Sequence, residues 1–181
     1  MTTPERRVVQ DDIRERQLAD LLRLERSAGR TGSDARDESG NRYELKTTTR
    51  GGVTTGRDLG LDYLERMRRS YLICARGQQG LTFRFEEIYF LAPSMMQTWI
   101  DIYYLRLTTD RDLVESALET LAAAAFPGDI TRLRQICYRG FTINNPKIPW
   151  KYVHDHGVRL EDEPALHLRQ LIAIHPLPSQ T

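Results

Sequence analysis

Two acidic residues and a lysine lie close together near residue 40. Asp34, Glu44 and Lys46 form a D(x9)ExK pattern, with a Ser-Gly-Asn turn between the two acids. Paired carboxylates repel each other unless a cation lies between them, and their hard oxygens suit Mg²⁺, which keeps waters and takes phosphate oxygens as further ligands. A neighbouring ammonium can stabilise negative charge developing on a phosphate or help to deprotonate an attacking water. The pattern therefore indicates a metal-binding acid pair, Asp34 and Glu44, with Lys46 placed to assist phosphoryl-transfer chemistry.

A β-hairpin is the predicted element that brings these residues together. Two predicted strands flank a turn at residues 39–41. With a three-residue loop, Asp34 opposes Lys46, and directly opposed residues share one face of a sheet. Residues two apart in a strand also share a face, so Glu44 joins them while Leu45 points into the core. A solvated hairpin edge is the alternative, because short motifs also match by chance.

The rest of the chain alternates helical and strand patterns, which predicts an α/β (α+β) fold. Asp110 is expected to begin one helix and the Pro127-Gly128 pair to end it. Residues 50–60 are predicted to be a glycine-rich loop, and the tail at 161–181 is predicted to end in a proline-punctuated, loose segment. The predicted helices cover about 11–26, a short segment from residue 61, 93–105 and 110–126, and the predicted strands cover 70–75, 81–92 and 135–143.

Composition limits the class of protein more than it identifies the function. The chain has 181 residues, is 40% hydrophobic and carries a formal net charge of +1, which fits one compact domain and is neutral about a polyanionic partner. Cys74 and Cys137 lie in apolar segments without CxxC spacing, which argues against a zinc site or a disulfide framework. The charged N-terminus lacks the apolar core of a signal peptide, and no apolar run approaches the length of a membrane span. We therefore expect a cytoplasmic protein with no membrane partner.

An asparagine pair near the C-terminal end offers a second kind of chemistry. Asn144 and Asn145 precede Pro146 in the stretch INNPKIP. An Asn amide presents a donor and an acceptor in one plane, which matches N6 and N7 of adenine in the major groove of DNA. A structural turn is the alternative, since Asn tolerates turn conformations and Pro146 fixes one.

These motifs resemble a known family of enzymes. The D(x9)ExK spacing is similar to that of the PD-(D/E)XK nuclease superfamily, although Ser33 stands where that motif has proline. The stretches YELK at 43–46, TFRFEEIYFLAP at 82–93 and INNPKIPWKYVHDHG at 143–157 resemble the PvuII family of type II restriction endonucleases.

The resemblance implies a central mixed sheet flanked by helices and a type II restriction endonuclease. Such an enzyme cuts double-stranded DNA at a short palindromic site with Mg²⁺, and is expected to act as a homodimer. Asp34 and Glu44 would be metal ligands and Lys46 the catalytic lysine. Asn144 and Asn145 would read bases, and Lys147 would make a phosphate or positioning contact.

One loop departs from the family pattern. PvuII carries a histidine cluster between the hairpin and the next helix, whereas residues 50–60 contain no histidine. Arg57 has the bidentate geometry to read guanine, and Asp58 could accept from cytosine or orient Arg57. Thr54 and Thr55 complete the candidate DNA-binding residues of this loop. A flexible glycine-rich loop with a solvated Arg57 is the alternative.

The domain prediction and two competing functions complete the expectations. Residues 1–160 are expected to form a single endonuclease domain with a C-terminal extension at 161–181. Within it, residues 1–28 would be a helical dimerisation element and 105–130 a helical insertion. The alternatives are another PD-(D/E)XK nuclease, acting in repair or junction cleavage, and a catalytically silent DNA-binding module, in which one acid or the lysine would be lost.

Overall fold

A computed structural model describes residues 10–27, 33–56, 58–80, 82–124, 128–139 and 141–177. Helices and strands alternate along the chain, as predicted. The helices are α1 (Gln10–Leu22), α2 (Leu61–Met67), α3 (Pro93–Ala123), α4 (Ile130–Arg139), α5 (Trp150–His156) and α6 (Pro164–Ile174). The strands are β1 (Glu25–Arg26), β2 (Ala35–Arg36), β3 (Arg42–Thr48), β4 (Gly52–Thr54), β5 (Asp58–Leu59), β6 (Tyr71–Gln79), β7 (Phe83–Leu91), β8 (Ile143–Asn144), β9 (Lys147–Pro149) and β10 (Val158–Arg159).

A six-stranded mixed sheet forms the centre of the molecule, in the order β1-β2-β3-β6-β7-β10. Strands β3 and β6 run parallel, and the other neighbouring strands of this sheet run antiparallel. Parallel neighbours need a long crossover connection, and here the crossover contains β4, β5 and α2. The expected α+β fold with a central mixed sheet is confirmed, as is the predicted pairing of the strands now identified as β6 and β7.

Both faces of the sheet are buried, which explains the nearly continuous apolar run of β6. Successive side chains of β6 alternate between the two faces, so Ile73 lies in one core and Cys74 in the other. Helices α1 and α6 cover the first face, and α2, α3 and α5 cover the second. The first core includes Leu18, Leu22, Tyr43, Leu45, Tyr71, Phe90, Leu168 and Leu171, and the second includes Leu64, Leu72, Met96, Trp99, Trp150 and Val153.

The N-terminal helix ends earlier than the predicted boundary near residue 26. Arg23 has a φ of 55°, a left-handed conformation that stops the helix. The main-chain N–H of Leu24 still donates to the carbonyl of Ala19 at 2.9 Å. The chain then enters β1, so the predicted helical element at 1–28 is helical only from Gln10 to Leu22 among the described residues.

The predicted pair of helices at 93–105 and 110–126 is one continuous helix, α3. The prediction was wrong because Asp110, expected as a cap, lies inside the helix, and the segment around it has no glycine or proline to break it. Thr108 is accommodated because its hydroxyl donates to the carbonyl of Tyr104, one turn earlier. The predicted end at Pro127 lies outside the described residues.

The predicted strand at 135–143 is also wrong, because most of it is helix α4. Asp129 caps this helix, since its side chain accepts from the main-chain N–H of Arg132 at 3.0 Å. Arg134 and Tyr138, one turn apart, both reach Glu115 on α3. The strand pattern survives only as β8, after the helix.

The tail after residue 160 contains helix α6 (Pro164–Ile174). The loose segment predicted at the end of the tail is described only as far as residue 177. Helix α6 buries Leu168 and Leu171 in the same core as Leu18 and Leu22 of α1. The hydroxyl of Tyr71 also donates to the carbonyl of His175 at 2.8 Å, which ties the end of α6 to the sheet. Among the described residues, no helix combines the length and apolarity that a membrane crossing requires.

Candidate active site

The hairpin that carries Asp34 and Glu44 forms with a different register from the predicted one. Ala35 pairs with Tyr43 and Arg36 with Arg42, which places Asp34 opposite Glu44 and not opposite Lys46. The prediction assumed a three-residue loop, whereas the connection is five residues long. Since this register differs by two residues, and side chains alternate with period two, Asp34 still lies on the face of Glu44.

Asp37 explains the longer loop. Its Oδ1 accepts from the main-chain N–H groups of Ser39 and Asn41, both at 2.9 Å. Its Oδ2 accepts from the amide of Asn41 and the hydroxyl of Tyr43, both at 2.8 Å. A side chain that satisfies the turn internally replaces the ladder hydrogen bonds that a shorter loop would have made.

Asp34, Glu44 and Lys46 converge in the structure. The ammonium Nζ of Lys46 lies 2.9 Å from Oδ2 of Asp34 and 3.6 Å from Oε2 of Glu44. It also donates to the carbonyl of Leu45 at 3.0 Å. The structure therefore brings the three predicted side chains together, as the sequence pattern led us to expect.

The electrostatics of this site follow from burial. Glu44 is only 4% exposed, and burial together with the charge of Asp34 raises the pKa of Glu44 to about 7 despite the opposing charge of Lys46. Burial alone would lower the pKa of Lys46, but the neighbouring acids, Asp34 first among them, raise it above its usual value. Lys46 is therefore held as an ammonium, the form that stabilises negative charge.

The donor set fits a hard divalent cation. Oxygens of Asp34, Glu44 and the Leu45 carbonyl all lie within 3.6 Å of one point, the ammonium nitrogen of Lys46. In the part of the chain that the structure describes, no group of three His, Cys, Asp or Glu side chains is arranged to hold a metal ion. Two carboxylates and one carbonyl leave positions for waters and phosphate oxygens, as Mg²⁺ prefers.

Glu15 is a site residue that the sequence analysis missed. It lies on α1, its Oε1 is 3.9 Å from Nζ of Lys46, and its side chain is 16% exposed. The sequence did contain a signal for it, because the spacing of Glu15, Leu18 and Leu22 places all three on the same face of a helix. A carboxylate on an apolar stripe indicates a specific partner, and here that partner is Lys46.

Helix α2 adds two further residues beside the acid pair. The charge of Arg66 acts to lower the pKa of Glu44. The guanidinium of Arg66 lies over the ring of Tyr63 at 5.0 Å, and burial raises the pKa of that phenol above its usual value. The short helix predicted after residue 61 thus flanks the candidate active site.

The loop predicted at 50–60 and the INNPKIP stretch pair with each other in space. We call the described residues 52–56, 58–59 and 143–149 together the ribbon. Strand β4 pairs with β9, which sets Thr54 opposite Lys147. Strand β5 pairs with β8, which sets Asp58 opposite Asn144. The prediction of a loop here was wrong. The two strands went unrecognised because they are short and their partners lie far away in sequence.

Some of the predicted DNA-binding side chains of the ribbon are exposed to solvent, and another is buried in a hydrogen bond within the ribbon. Asn144, Asn145 and Lys147 are exposed. Asn145 has a φ of 47°, a left-handed conformation that Asn tolerates better than most residues. Thr55 is buried, and its hydroxyl donates to the carbonyl of Pro146 at 3.0 Å, a contact that holds the turn. Arg57 lies outside the described residues.

A cleft of about 750 Å³ extends from Lys46 to the ribbon. Its lining contains four cations and one carboxylate. Such a concentration of positive charge in a nearly neutral chain favours a polyanionic ligand. The charged lining residues are Arg14, Glu15, Lys46, Arg50 and Lys147, and the others include Thr47, Thr48, Thr49 and Thr54.

Comparison with known proteins agrees with this geometry. A family model described as restriction endonuclease PvuII matches residues 6–115, well over half of the chain and the whole of the acid pair and Lys46. Residues 143–157 lie beyond the matched range. No curated protein sequence matches the chain. On the family match, the chain belongs to the PvuII restriction endonuclease family and is a DNA-cleaving hydrolase.

Proposed function

We propose that the protein is a Mg²⁺-dependent type II restriction endonuclease that cuts both strands of double-stranded DNA at a short palindromic site. The observation that carries this proposal is the shared cleft. Lys46 lies at one part of the cleft, and Thr54 and Lys147 of the ribbon line another. A duplex in the cleft would therefore meet the catalytic group and the candidate base-reading segment together.

The site residues have separable chemical roles. Asp34, Glu44 and the carbonyl of Leu45 would hold Mg²⁺, which when bound polarises a phosphate oxygen and acidifies a water. The ammonium of Lys46 stabilises the negative charge that grows on the scissile phosphate. Because its side chain is only 12% exposed, this stabilisation acts in a medium that screens charge weakly.

The ribbon supplies the proposed reading of sequence. An exposed amide of Asn144 or Asn145 can make the paired hydrogen bonds that distinguish adenine. Lys147 would contact phosphate, which positions the protein without carrying sequence information. Asp58 lies opposite Asn144 and would read or orient beside it, and Arg57 remains the proposed guanine reader.

A homodimer is part of the proposal. Each chain carries one acid pair with one Lys46, whereas a double-strand break needs two cuts. A two-fold symmetric enzyme on a two-fold symmetric site provides both. Helix α1 is the proposed interface element, and its Ile13 and Leu21 are 46% and 42% exposed.

Digestion of a plasmid of known sequence tests the proposal most directly. The purified protein with Mg²⁺ should yield discrete fragments whose ends map to one short palindrome. The same protein with EDTA, and the Asp34→Asn variant with Mg²⁺, should leave the plasmid intact. Random degradation or nicking without a common end sequence would contradict sequence-specific cleavage.

A further inference from the structure

Trp150 occupies the junction between the ribbon and the central sheet. It is the first residue of α5 and follows Pro149, the last residue of β9. Its main-chain N–H donates to the carbonyl of Gly51 at 2.9 Å, just before β4 begins. One residue thus holds both strands of the β4–β9 pair at the end that is nearest the sheet.

The side chain of Trp150 is fixed from several directions. It is 6% exposed, and its indole N–H donates to Oε2 of Glu87 at 3.1 Å. The same carboxylate oxygen lies 2.6 Å from Nη2 of Arg76. The Arg76 guanidinium lies over the indole ring at 4.9 Å, within the range of a cation–π contact, and Tyr89 packs edge-on against the ring at 5.6 Å.

Arg76 connects this junction to the catalytic strand. It pairs in register with Thr48 on β3, two residues beyond the pair formed by Lys46 and Cys74. Strand spacing and rise place the Cα atoms of Arg76 and Lys46 about 8 Å apart. The route from Lys46 to the ribbon therefore consists of paired strands and one buried aromatic residue, without a flexible segment.

We propose that Trp150, clamped by Arg76 and Glu87, is a positioning residue that sets where the ribbon lies relative to Lys46. This inference rests on the proposed function, in which the ribbon reads bases. Catalysis tolerates little misplacement, since a shift of about 1 Å can lower a rate by about a hundredfold. Groups that act on the same DNA need a rigid support of this kind to keep their relative positions fixed. The residue acts through the ribbon and touches neither DNA nor metal.

Three variants and one matched control test the assignment. Trp150→Phe removes the indole N–H, Glu87→Ala removes its acceptor, and Glu87→Gln keeps an acceptor of the same length. Tyr71→Phe is the control, because it also removes one hydrogen-bond donor from a buried aromatic residue, at the other face of the sheet. The measurements are cleavage of the mapped site, cleavage of sites that differ by one base pair, and DNA affinity with Ca²⁺ in place of Mg²⁺.

Trp150→Phe and Glu87→Ala should lower kcat at the mapped site by about ten- to a hundredfold. They should also lower discrimination against the altered sites by about tenfold, while DNA affinity changes by less than about threefold. Glu87→Gln should recover most of the discrimination. Tyr71→Phe should lower the Tm to a similar degree and leave discrimination unchanged. Wild-type discrimination in Trp150→Phe and Glu87→Ala, at a Tm lowered as in the control, would overturn the inference.

Hydrogen exchange provides a readout that does not depend on cleavage. The amides of β4 and β9 should exchange at least tenfold faster in Glu87→Ala, while those of β3 and β6 keep their protection. Unchanged protection of β4 and β9 would overturn the positioning role even if activity fell. Failure of the proposed function is distinguishable, because it would already show as absence of specific cleavage by the wild-type protein.

Discussion

One carboxylate oxygen of Asp34, Oδ2, accepts a hydrogen bond from the Lys46 ammonium at 2.9 Å. The same oxygen accepts from the main-chain N–H of Leu45 at 2.8 Å. The carboxylate is therefore oriented by the strand that carries the lysine. The acid and the lysine form one unit, so that a change in either alters the other.

Replacement of either acid by its amide should abolish cleavage without unfolding the protein. Asp34→Asn and Glu44→Gln keep the size of the side chain but weaken the hard ligands for Mg²⁺, so we expect a loss of at least about a thousandfold. Plasmid linearisation and thermal melting would measure the two properties. Glu65→Gln is the control, since Glu65 forms an ion pair with Arg68 and is 45% exposed. Near-normal cleavage by either variant would remove that acid from the metal site.

The metal-free protein should become less stable as the pH rises from about 4.5 to about 7. The pKa of Glu44 is raised to about 7 in the folded state, so between these values the folded protein binds a proton that the unfolded chain has released. The difference corresponds to at most about 3 kcal/mol of the free energy of unfolding. Glu44→Gln should flatten this pH dependence and be more stable than the wild type at pH 8 in EDTA. Urea unfolding of both proteins at pH 5 and pH 8 would measure how the free energy of unfolding changes with pH. The same change in the wild type and in Glu44→Gln would contradict the assignment.

Substitutions of two exposed residues of the ribbon should impair DNA recognition in different ways. Asn145→Ala should lower cleavage of the mapped site by about ten- to a hundredfold, because a bidentate contact to adenine contributes about 1–3 kcal/mol. Lys147→Ala should weaken binding to all sequences alike and reduce the slope of log affinity against log salt by about one. Binding titrations at several salt concentrations would separate these effects. A mapped site without an A·T pair would refute the proposed reading by asparagine.

The proposed dimer should depend on α1. Leu21→Glu places a charge on the exposed side of that helix and should shift the protein toward monomers in sedimentation, with loss of double-strand cleavage. Leu105→Glu on α3, where the leucine is 68% exposed, is the matched control and should sediment as the wild type does. A wild-type protein that is monomeric both free and on specific DNA would refute the dimer. If Leu105→Glu disrupts the dimer and Leu21→Glu does not, the interface lies on α3 and not on α1.

The face of the sheet on which the acids lie could be predicted from sequence, although the hairpin register could not. Side-chain alternation has period two, so an error of two residues left Asp34, Glu44 and Lys46 on one face. The loop length escaped prediction because it depends on four hydrogen bonds to the side chain of Asp37. Such side-chain turns compete with ladder hydrogen bonds without changing the pattern of apolar residues.

Elements that depend on distant partners were beyond local sequence patterns. Strands β4 and β5 are two or three residues long, too short for any periodicity, and form because β9 and β8 lie opposite them. Asp110 has the residue type of a helix cap but lies within α3, where the uninterrupted helix before and after it decides the conformation. Glu15 was missed because its partner, Lys46, lies on another element.

The register of β3 against β6 also gives the protein an internal reporter of sheet opening. Cys74 pairs with Lys46 in that register, is fully buried, and burial raises the pKa of its thiol to about 12. Alkylating reagents attack thiolates, so Cys74 should be modified only when β6 and β3, which carries the proposed catalytic groups, separate. Cys137, on α4, is only partly buried. The two labelling rates from one sample would therefore compare the opening of the central sheet with local motion of a peripheral helix.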